Sequence, residues 1–241
     1  MAHALCGRWN VFAADLQNEP HASSWAKGRA TDWNRAAERI GNHVLALCPR
    51  WMIFVEGVGY TPGAPGLDDA SQGVWWGENL AGVRRAPIRL SDGSRLVYSP
   101  HTYGPGVYLQ EYFKDPAFPQ NMPAVWDAHF GFVQRTTGVP VVIGEIGGVY
   151  EDRDREWQDW AIAHAASRGF GLFYFCLNPD SVDTGGLLLP DWTQVFTQSP
   201  HTAHTRLHRR KAPMRPKQPR CAYDAPIRRP PSDCPPLTAL L

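Results

Sequence analysis

The chain has 241 residues, and its 24 Lys and Arg nearly balance its 23 Asp and Glu, for a formal net charge of +1. With 43% hydrophobic and 12% aromatic residues, this composition excludes a wholly disordered protein and suits one folded domain. No run reaches the roughly 20 apolar residues of a membrane-spanning helix, and the first residues do not resemble an export signal. We therefore expect no membrane partner.

Short apolar runs alternate with amphipathic helical patterns between Val11 and Leu177. This alternation is typical of a parallel sheet covered by helices, so the sequence predicts an α/β fold. The predicted strands cover residues 11–16, 51–55, 96–98, 139–143 and 170–177. Helices are predicted at 33–47, 125–134 and 156–167, and a long loop rich in Gly and Pro lies between 57 and 94.

The last 43 residues differ in composition from the rest of the chain. From Ser199 to Leu241, nine Lys and Arg stand against two Asp, which leaves a balance of −6 in residues 1–198. The same stretch holds nine of the 22 prolines and none of the ten tryptophans. This composition predicts a disordered basic tail at 199–241 after a folded domain at 1–198. A solvated tail is the simplest interpretation, so we infer no nucleic-acid partner.

The five cysteines form no recognisable pattern. Cys6, Cys48, Cys176, Cys221 and Cys234 include no C-x-x-C spacing, and two of them lie in an apolar context. The sequence therefore indicates neither a zinc site nor a disulfide framework.

Polar and titratable residues follow every predicted strand. In parallel α/β folds, the catalytic groups lie at the carboxyl ends of the strands. Glu19 follows the first predicted strand and Glu145 follows the fourth. Two carboxyl groups across a sugar ring are the minimum equipment for glycoside hydrolysis, but only a closed or strongly curved sheet would bring this pair together. Glu56 ends the second strand, where a structural carboxylate bonded to loop amides is the simpler interpretation.

Three tryptophans lie in predicted loops on the same side of the sheet. Trp25, Trp75 and Trp76 offer flat apolar rings that can stack on the apolar face of a pyranose. Ordinary packing explains any single one of them equally well. The adjacent pair Trp75 and Trp76, inside a Gly-rich loop, is the best candidate for sugar stacking.

The strand-end motifs resemble those of a known family. Asn18-Glu19-Pro20, His101-x-Tyr103 and Gly144-Glu145, in this order, are similar to consecutive strand-end motifs of glycoside hydrolase family 5, the cellulase family. The segment 178–186 resembles the loop after the last strand in its endoglucanases. The resemblance spans about residues 8–194 and implies the C-terminal five βα units, about strands 4 to 8, of a (β/α)8 TIM barrel.

The resemblance also implies roles for the matching residues. Glu19 would be the general acid and then the base, and Glu145 the nucleophile, of a retaining hydrolase of β-1,4-glucan. Asn18 would hold the sugar 2-hydroxyl, Tyr103 would donate to the nucleophile, and His101 would bind substrate and orient the acid. The resemblance implies no metal and no cofactor, a β-glucan polysaccharide or oligosaccharide as the partner, and action outside the cell. No obligate protein partner is evident.

Two departures from the family pattern affect these expectations. Phe175 or Leu177 stands where the last strand of the family usually ends in Trp, and Asn178 either binds a distal sugar or shapes a turn. The Asn-Glu-Pro strand begins here near residue 11, although it is the fourth of eight in that barrel. We therefore expect a partial barrel with two unpaired edges. A longer form or another chain completes it, or it is a fragment of low activity; the alternative function is a non-catalytic carbohydrate-binding remnant.

Overall fold

The computed structural model describes residues 1–59 and 73–195. The predicted tail, and with it the boundary predicted after residue 198, lies outside these residues. The helices are α1 (Ala2–Leu5), α2 (Trp33–Leu47), α3 (Met122–Trp126), α4 (Val133–Thr137) and α5 (Asp152–Arg168). The strands are β1 (Ala13–Asp15), β2 (Met52–Val55), β3 (Leu96–Tyr98), β4 (His101–Tyr103), β5 (Val142–Gly147) and β6 (Gly171–Tyr174). Three 3₁₀ helices (Ala81–Arg84, Gly93–Arg95, Glu111–Lys114) and one π-helix (Asp127–Gly131) complete the regular structure of the described residues.

The strands pair in parallel throughout the described sheet. β1 pairs with β2 and β2 with β3, while β4 pairs with β5 and β5 with β6. A bridge between Tyr98 and Val141 joins the two sets. β3 and β4 are thus two halves of one strand, interrupted at Ser99-Pro100 because proline has no amide hydrogen for the ladder. The result is an α/β arc of five parallel strand positions, as the resemblance to part of a (β/α)8 barrel leads us to expect.

The predicted elements are present, with shifted boundaries in the second half of the chain. The fourth strand was predicted at 139–143, but β5 begins at Val142 and continues to Gly147, so that Glu145 lies inside the strand. The helix predicted at 125–134 is divided into α3, the π-helix and α4. Strand β6 is shorter than the predicted apolar run and ends at Tyr174.

Large aromatic side chains fill the space between the sheet and the helices. Trp126 of α3 and Trp157 of α5 are fully buried and meet edge to face, with ring centroids 6.0 Å apart. On α2, the buried side chains of Trp33, Ala37 and Leu45 recur at intervals of four residues or a multiple of four, which places them on the face that packs against the sheet. These contacts fix the strands whose ends carry the candidate site.

Cys6 and Cys48 form a disulfide bond with a Cα–Cα distance of 5.5 Å. The cysteine spacing indicated no disulfide framework, and it did not reveal this single bond. The two residues are 42 positions apart, so no local spacing in the sequence indicates that they pair. The fold brings them together by placing the end of α1 against the end of α2. Arg50 reinforces this junction by donating from Nε to the carbonyl of Cys6 at 2.8 Å. Cys176 is a buried free thiol.

The arc is open between its first and last strands. The outer edges of β1 and β6 have no strand partner within the described part of the chain. Phe12 and Phe173 are 47% and 41% exposed on this open side, where they line a cavity of about 540 Å³. Among the described helices, none combines the length and apolar content needed to cross a membrane.

Candidate active site

The carboxyl ends of three strands bring Glu19, His101 and Glu145 to one point. Glu19 follows β1, whereas His101 of β4 and Glu145 of β5 are directly paired positions in neighbouring strands. His101 Nδ1 lies 3.1 Å from Glu19 Oε1 and 3.3 Å from Glu145 Oε2. One ligand atom of each residue lies within 4.8 Å of the others. The curvature of the sheet therefore unites two carboxyl groups that are far apart in the sequence.

Tyr103 contacts the second of these carboxyl groups. It follows His101 by two positions on β4, so both side chains point to the same face of the strand. Its hydroxyl donates to Glu145 Oε2. Burial and this hydrogen bond raise the pKa of Tyr103 well above its usual range, so the hydroxyl remains a donor at neutral pH. A hydrogen bond donated to a carboxylate favours its charged form.

Glu19 has an unusual backbone conformation. Its φ of 49° lies in the left-handed region, which non-glycine residues rarely adopt. The amide of Glu19 donates to Glu56 Oε2 at 2.9 Å, and the backbone carbonyl of Glu19 is 2.9 Å from Nδ1 of His21. Hydrogen bonds on both sides of the residue thus hold the backbone that aims the Glu19 carboxyl at His101.

Glu56 is a third carboxyl group in the site, and sequence reasoning favoured a structural carboxylate bonded to loop amides over a contact with sugar. It is 1% exposed, and its Oε1 lies 3.4 Å from Nε2 of His101. Burial raises its pKa to about 9, with further contributions from the carboxyl groups of Asp15, Glu19 and Glu145. A pKa raised in this way favours the neutral acid of Glu56 at pH 7.

This neutrality predicts a pH dependence of stability. The ordinary pKa of the Glu56 carboxyl is 4.5, and burial raises the folded-state value to about 9. Between these values the unfolded chain binds fewer protons than the folded chain, so the free energy of unfolding falls as pH rises. We expect the urea midpoint to fall more steeply from about pH 5 to about pH 9 in wild type than in Glu56→Gln, whose amide does not titrate. Parallel slopes would contradict a neutral Glu56.

A cleft of about 700 Å³ opens beside the two candidate carboxyl groups. It contains most of the residues predicted to bind substrate. Its lining includes Asn18, Glu19, Trp75, Trp76, Tyr103, Glu145, Phe175, Asp183 and Thr184. Of Phe175 and Leu177, the two residues at the stretch where the family usually has Trp, Phe175 lines the cleft and is 38% exposed. The cleft thus places the two candidate carboxyl groups beside an aromatic rim.

The three candidate stacking tryptophans have different environments. Trp76 is 56% exposed and stacks on the ring of His21, with centroids 4.0 Å apart and an interplanar angle of 20°. Trp75 is buried, contacts Tyr103 edge to face, and forms part of the wall of the cleft. Trp25 is not a stacking residue, because it is buried in the core and donates its Nε1 hydrogen to the carbonyl of Ala86.

Asn178 lies outside the lining of the cleft. It is half-buried in the turn after β6, where its backbone carbonyl accepts the thiol of Cys176. Asp183 and Thr184, a few residues further along, reach the cleft instead. A sugar contact of Asn178 remains a prediction from the resemblance.

The loop that carries Trp75 and Trp76 is anchored by a second buried carboxyl group. Glu78 is fully buried, accepts the amide of Trp75 at 3.0 Å, and accepts the hydroxyl of Thr102 at 3.0 Å. Its Oε2 also lies 3.0 Å from Nδ1 of His129. Sequence reasoning did not identify this pair. The rim of the cleft is thereby tied to Thr102, the central residue of β4.

Glu19, His101 and Glu145 also have the donor types and spacing of a metal-binding group. Each of the three atoms already faces a hydrogen-bonding partner within the group. The arrangement therefore suits proton transfer and nucleophilic attack without an ion.

Known proteins are similar to this chain in both sequence and fold. A family model described as cellulase (glycosyl hydrolase family 5) matches residues 1–181. An endoglucanase of Paenibacillus polymyxa is 45% identical over 188 residues, which cover 76% of this chain and 46% of that protein. The major extracellular endoglucanase of Xanthomonas campestris pv. campestris is 44% identical over 191 residues, covering 77% of this chain and 38% of the relative. The chain thus spans less than half the length of these two relatives.

A solved structure gives the same result for the fold. An endocellulase from Pyrococcus horikoshii, solved as a variant in complex with cellotetraose, superposes with a TM-score of 0.78 at 41% identity. The match covers 86% of this chain and 60% of that one. Sequence and structure therefore agree that the chain belongs to the cellulase family, glycosyl hydrolase family 5.

Proposed function

We propose that residues 1–198 carry the catalytic pair of a retaining endo-β-1,4-glucanase. The observation that supports this most directly is the approach of the Glu19 and Glu145 oxygens to within 4.8 Å. Retaining glycosidases hold their carboxyl groups about 5–5.5 Å apart, whereas inverting enzymes leave about 6.5–9.5 Å for a water molecule. The observed spacing favours a covalent intermediate.

In this mechanism the two carboxyl groups have different roles. Glu19 protonates the leaving glycosidic oxygen while Glu145 attacks the anomeric carbon and forms the glycosyl–enzyme bond. Glu19, now ionised, then removes a proton from the water that releases the sugar. Tyr103 donates to Glu145 and keeps this nucleophile charged and aligned, and His101 orients Glu19 through the contact at Nδ1. Asn18 lines the cleft where the sugar 2-hydroxyl would lie.

The substrate class follows from the cleft and from the relatives. The endocellulase from Pyrococcus horikoshii binds cellotetraose, and the exposed ring of Trp76 offers an apolar platform for a further sugar unit. We therefore propose β-1,4-linked glucose polymers and oligomers as substrates. The disulfide between Cys6 and Cys48 suits an oxidising compartment, which supports action outside the cell.

The proposal is tested by incubating the chain with carboxymethylcellulose and following reducing ends. We expect their release, and proton NMR of short incubations with cello-oligosaccharides should show the β-anomer as the first product. A first-formed α-anomer would contradict the retaining mechanism. Quenching of tryptophan fluorescence by cellotetraose without product would instead support a non-catalytic carbohydrate-binding function, for which Trp76 is equally suited.

Replacement of Trp76 by Ala should weaken binding without affecting the chemistry. Loss of a stacked ring is expected to raise the Kd for cellotetraose about 10-fold, or ~1.4 kcal/mol, and to leave kcat within about 2-fold. Fluorescence titration measures the first quantity and reducing-end release the second. Trp9, which is 89% exposed and not among the residues that line the cleft, is the matched control, and Trp9→Ala should bind as wild type does. Equal affinities of the two variants would exclude Trp76 as a subsite.

A further inference from the structure

The carboxyl group of Glu56 faces two different parts of the candidate machinery. Its Oε2 accepts the backbone amide of Glu19 at 2.9 Å, and its Oε1 lies 3.4 Å from Nε2 of His101. The loop backbone passes directly over this carboxyl group at Gly77, where a Cβ atom would lie 2.3 Å from Glu56 Oε2. Glu56 is thus only 1% exposed, although it also lines the cavity of about 540 Å³ on the open side of the arc, and each of its oxygens faces one of these two parts.

The contacts of His101 restrict the forms that its ring can take. A neutral imidazole has one N–H and one acceptor nitrogen. Its Nδ1 lies 3.1 Å from Glu19 Oε1 and 3.3 Å from Glu145 Oε2, both of which are acceptors, so the hydrogen belongs on Nδ1. In this neutral form Nε2 is an acceptor inside the protein, so a donor has to face it, whereas an imidazolium would donate from both nitrogens. The atom that faces it is Oε1 of Glu56.

We propose that Glu56 is a positioning residue for the reaction: as a neutral acid, it donates from Oε1 to Nε2 of His101 and accepts the Glu19 amide at Oε2. The first bond fixes the His101 tautomer that donates to the catalytic carboxyl groups. The second holds Glu19 in its left-handed backbone conformation. The inference rests on the proposed function, because it concerns the same two catalytic residues.

The charged groups around Glu56 support its neutral form. Asp15 of β1 lies on one side and accepts the hydroxyl of Ser99 at 3.0 Å, while Glu19 and Glu145 lie on the side of the cleft. Each is a carboxyl group that disfavours a further negative charge on Glu56, and burial acts in the same direction. His101 is the titratable base that faces this cluster. Asp15 also hydrogen-bonds to Glu56.

The ring form of His101 can be read without substrate. Long-range proton–nitrogen NMR of the whole chain distinguishes a neutral Nδ1–H ring, a neutral Nε2–H ring and an imidazolium. We expect the neutral Nδ1–H form of His101 at pH 7 in wild type and in Glu56→Gln, because the amide of Gln can donate to Nε2 and accept the Glu19 amide. In Glu56→Leu we expect a mixture of tautomers. An Nε2–H ring or an imidazolium in wild type would overturn the proposal.

Another buried Glu–His pair among the described residues provides a matched control. Glu78 is fully buried and faces Nδ1 of His129 at 3.0 Å, yet it does not contact His101 or Glu19 among the described contacts. Glu78→Gln should change the ring signals of His129 and leave those of His101 as they are in wild type. A change at His101 in this control would show that the signal reports general loosening, and would overturn the assignment to Glu56.

Kinetics provide the second test. If Glu56 acts as a neutral donor, Glu56→Gln should be more active than Glu56→Asp, whereas a required negative charge at this position predicts the opposite order. We expect Glu56→Gln to retain kcat on carboxymethylcellulose within about 3-fold. Glu56→Asp keeps the acid but withdraws it from both contacts, and a displacement on the order of 1 Å should lower kcat about 10²-fold with little change in KM. Higher activity of the Asp variant than of the Gln variant would contradict the proposal.

Failure of this inference can be separated from failure of the proposed function. Absence of hydrolysis by wild type, or equal rates for wild type and Glu145→Gln, refutes the glucanase assignment, while the His101 ring form still decides whether Glu56 fixes the tautomer. Hydrolysis that depends on Glu145 but not on any replacement of Glu56 refutes the positioning role alone.

Discussion

Glu145→Gln is expected to lower kcat on carboxymethylcellulose by about 10⁴-fold or more, because no covalent intermediate forms without the nucleophile. The amide has the size of the carboxylate and can still accept from Tyr103, so the loss reports chemistry. Glu19→Gln should lower the same rate by about 10²–10⁴-fold, the usual contribution of a general acid.

The leaving group separates the two roles. An aryl cellobioside that releases a dinitrophenolate needs no proton in the first step, so Glu19→Gln should form the glycosyl–enzyme nearly as fast as wild type and show a burst of dinitrophenolate. Glu145→Gln should show neither burst nor turnover on this substrate. Stopped-flow absorbance measures the burst. A burst in the Glu145 variant and none in the Glu19 variant would reverse the assignment of acid and nucleophile. Wild-type rates in both variants would show that neither residue has the proposed role.

Asp154→Ala is expected to cause the largest loss of stability among the single replacements considered. The buried carboxylate accepts the amides of Gly106 and Tyr150 at 3.2 and 2.9 Å and the side-chain amide of Gln158 at 2.7 Å. It therefore joins the loops after β4 and β5 to the start of α5. Truncation leaves three donors without this acceptor, and we expect a loss of about 3 kcal/mol in the free energy of unfolding.

Urea denaturation at constant m-value measures this effect. Asp159 on the same helix is the matched control, since its carboxylate accepts only the exposed hydroxyl of Tyr150 among its described bonds. Asp159→Ala should change the free energy of unfolding by less than about 0.5 kcal/mol. Similar losses in the two variants would show that the buried carboxylate has no special role.

The order of elements could be predicted from the sequence because each apolar run and each amphipathic helix has its own periodicity. The exact extent of the fourth strand could not be predicted. Residues 144–147 read as a polar and glycine-rich turn, yet β4 pairs with them, so the ladder continues through Glu145. The Cys6–Cys48 bond was missed for a related reason, since only the packing of α1 against α2 brings the two thiols together.

The convergence of Glu19 and Glu145 could be predicted because both residues belong to short motifs that follow or end apolar runs. The residues that support the pair could not. Glu56 and Glu78 are single carboxyl groups in the sequence, and their importance depends on buried partners from other strands and helices. Likewise, Trp25 and Trp76 share a loop context, but only the packing of the core decides that the first is buried and the second exposed.

Strand β4 serves two sites with alternate side chains. His101 and Tyr103 point to the carboxyl pair, while Thr102 between them holds Glu78 and hence the tryptophan loop. Under the proposed function, substitutions confined to that loop should consequently change which sugars bind while the bond-breaking step proceeds unaltered. A substitution that displaces β4 should instead impair sugar binding and bond breaking to the same extent, because both sites depend on this strand.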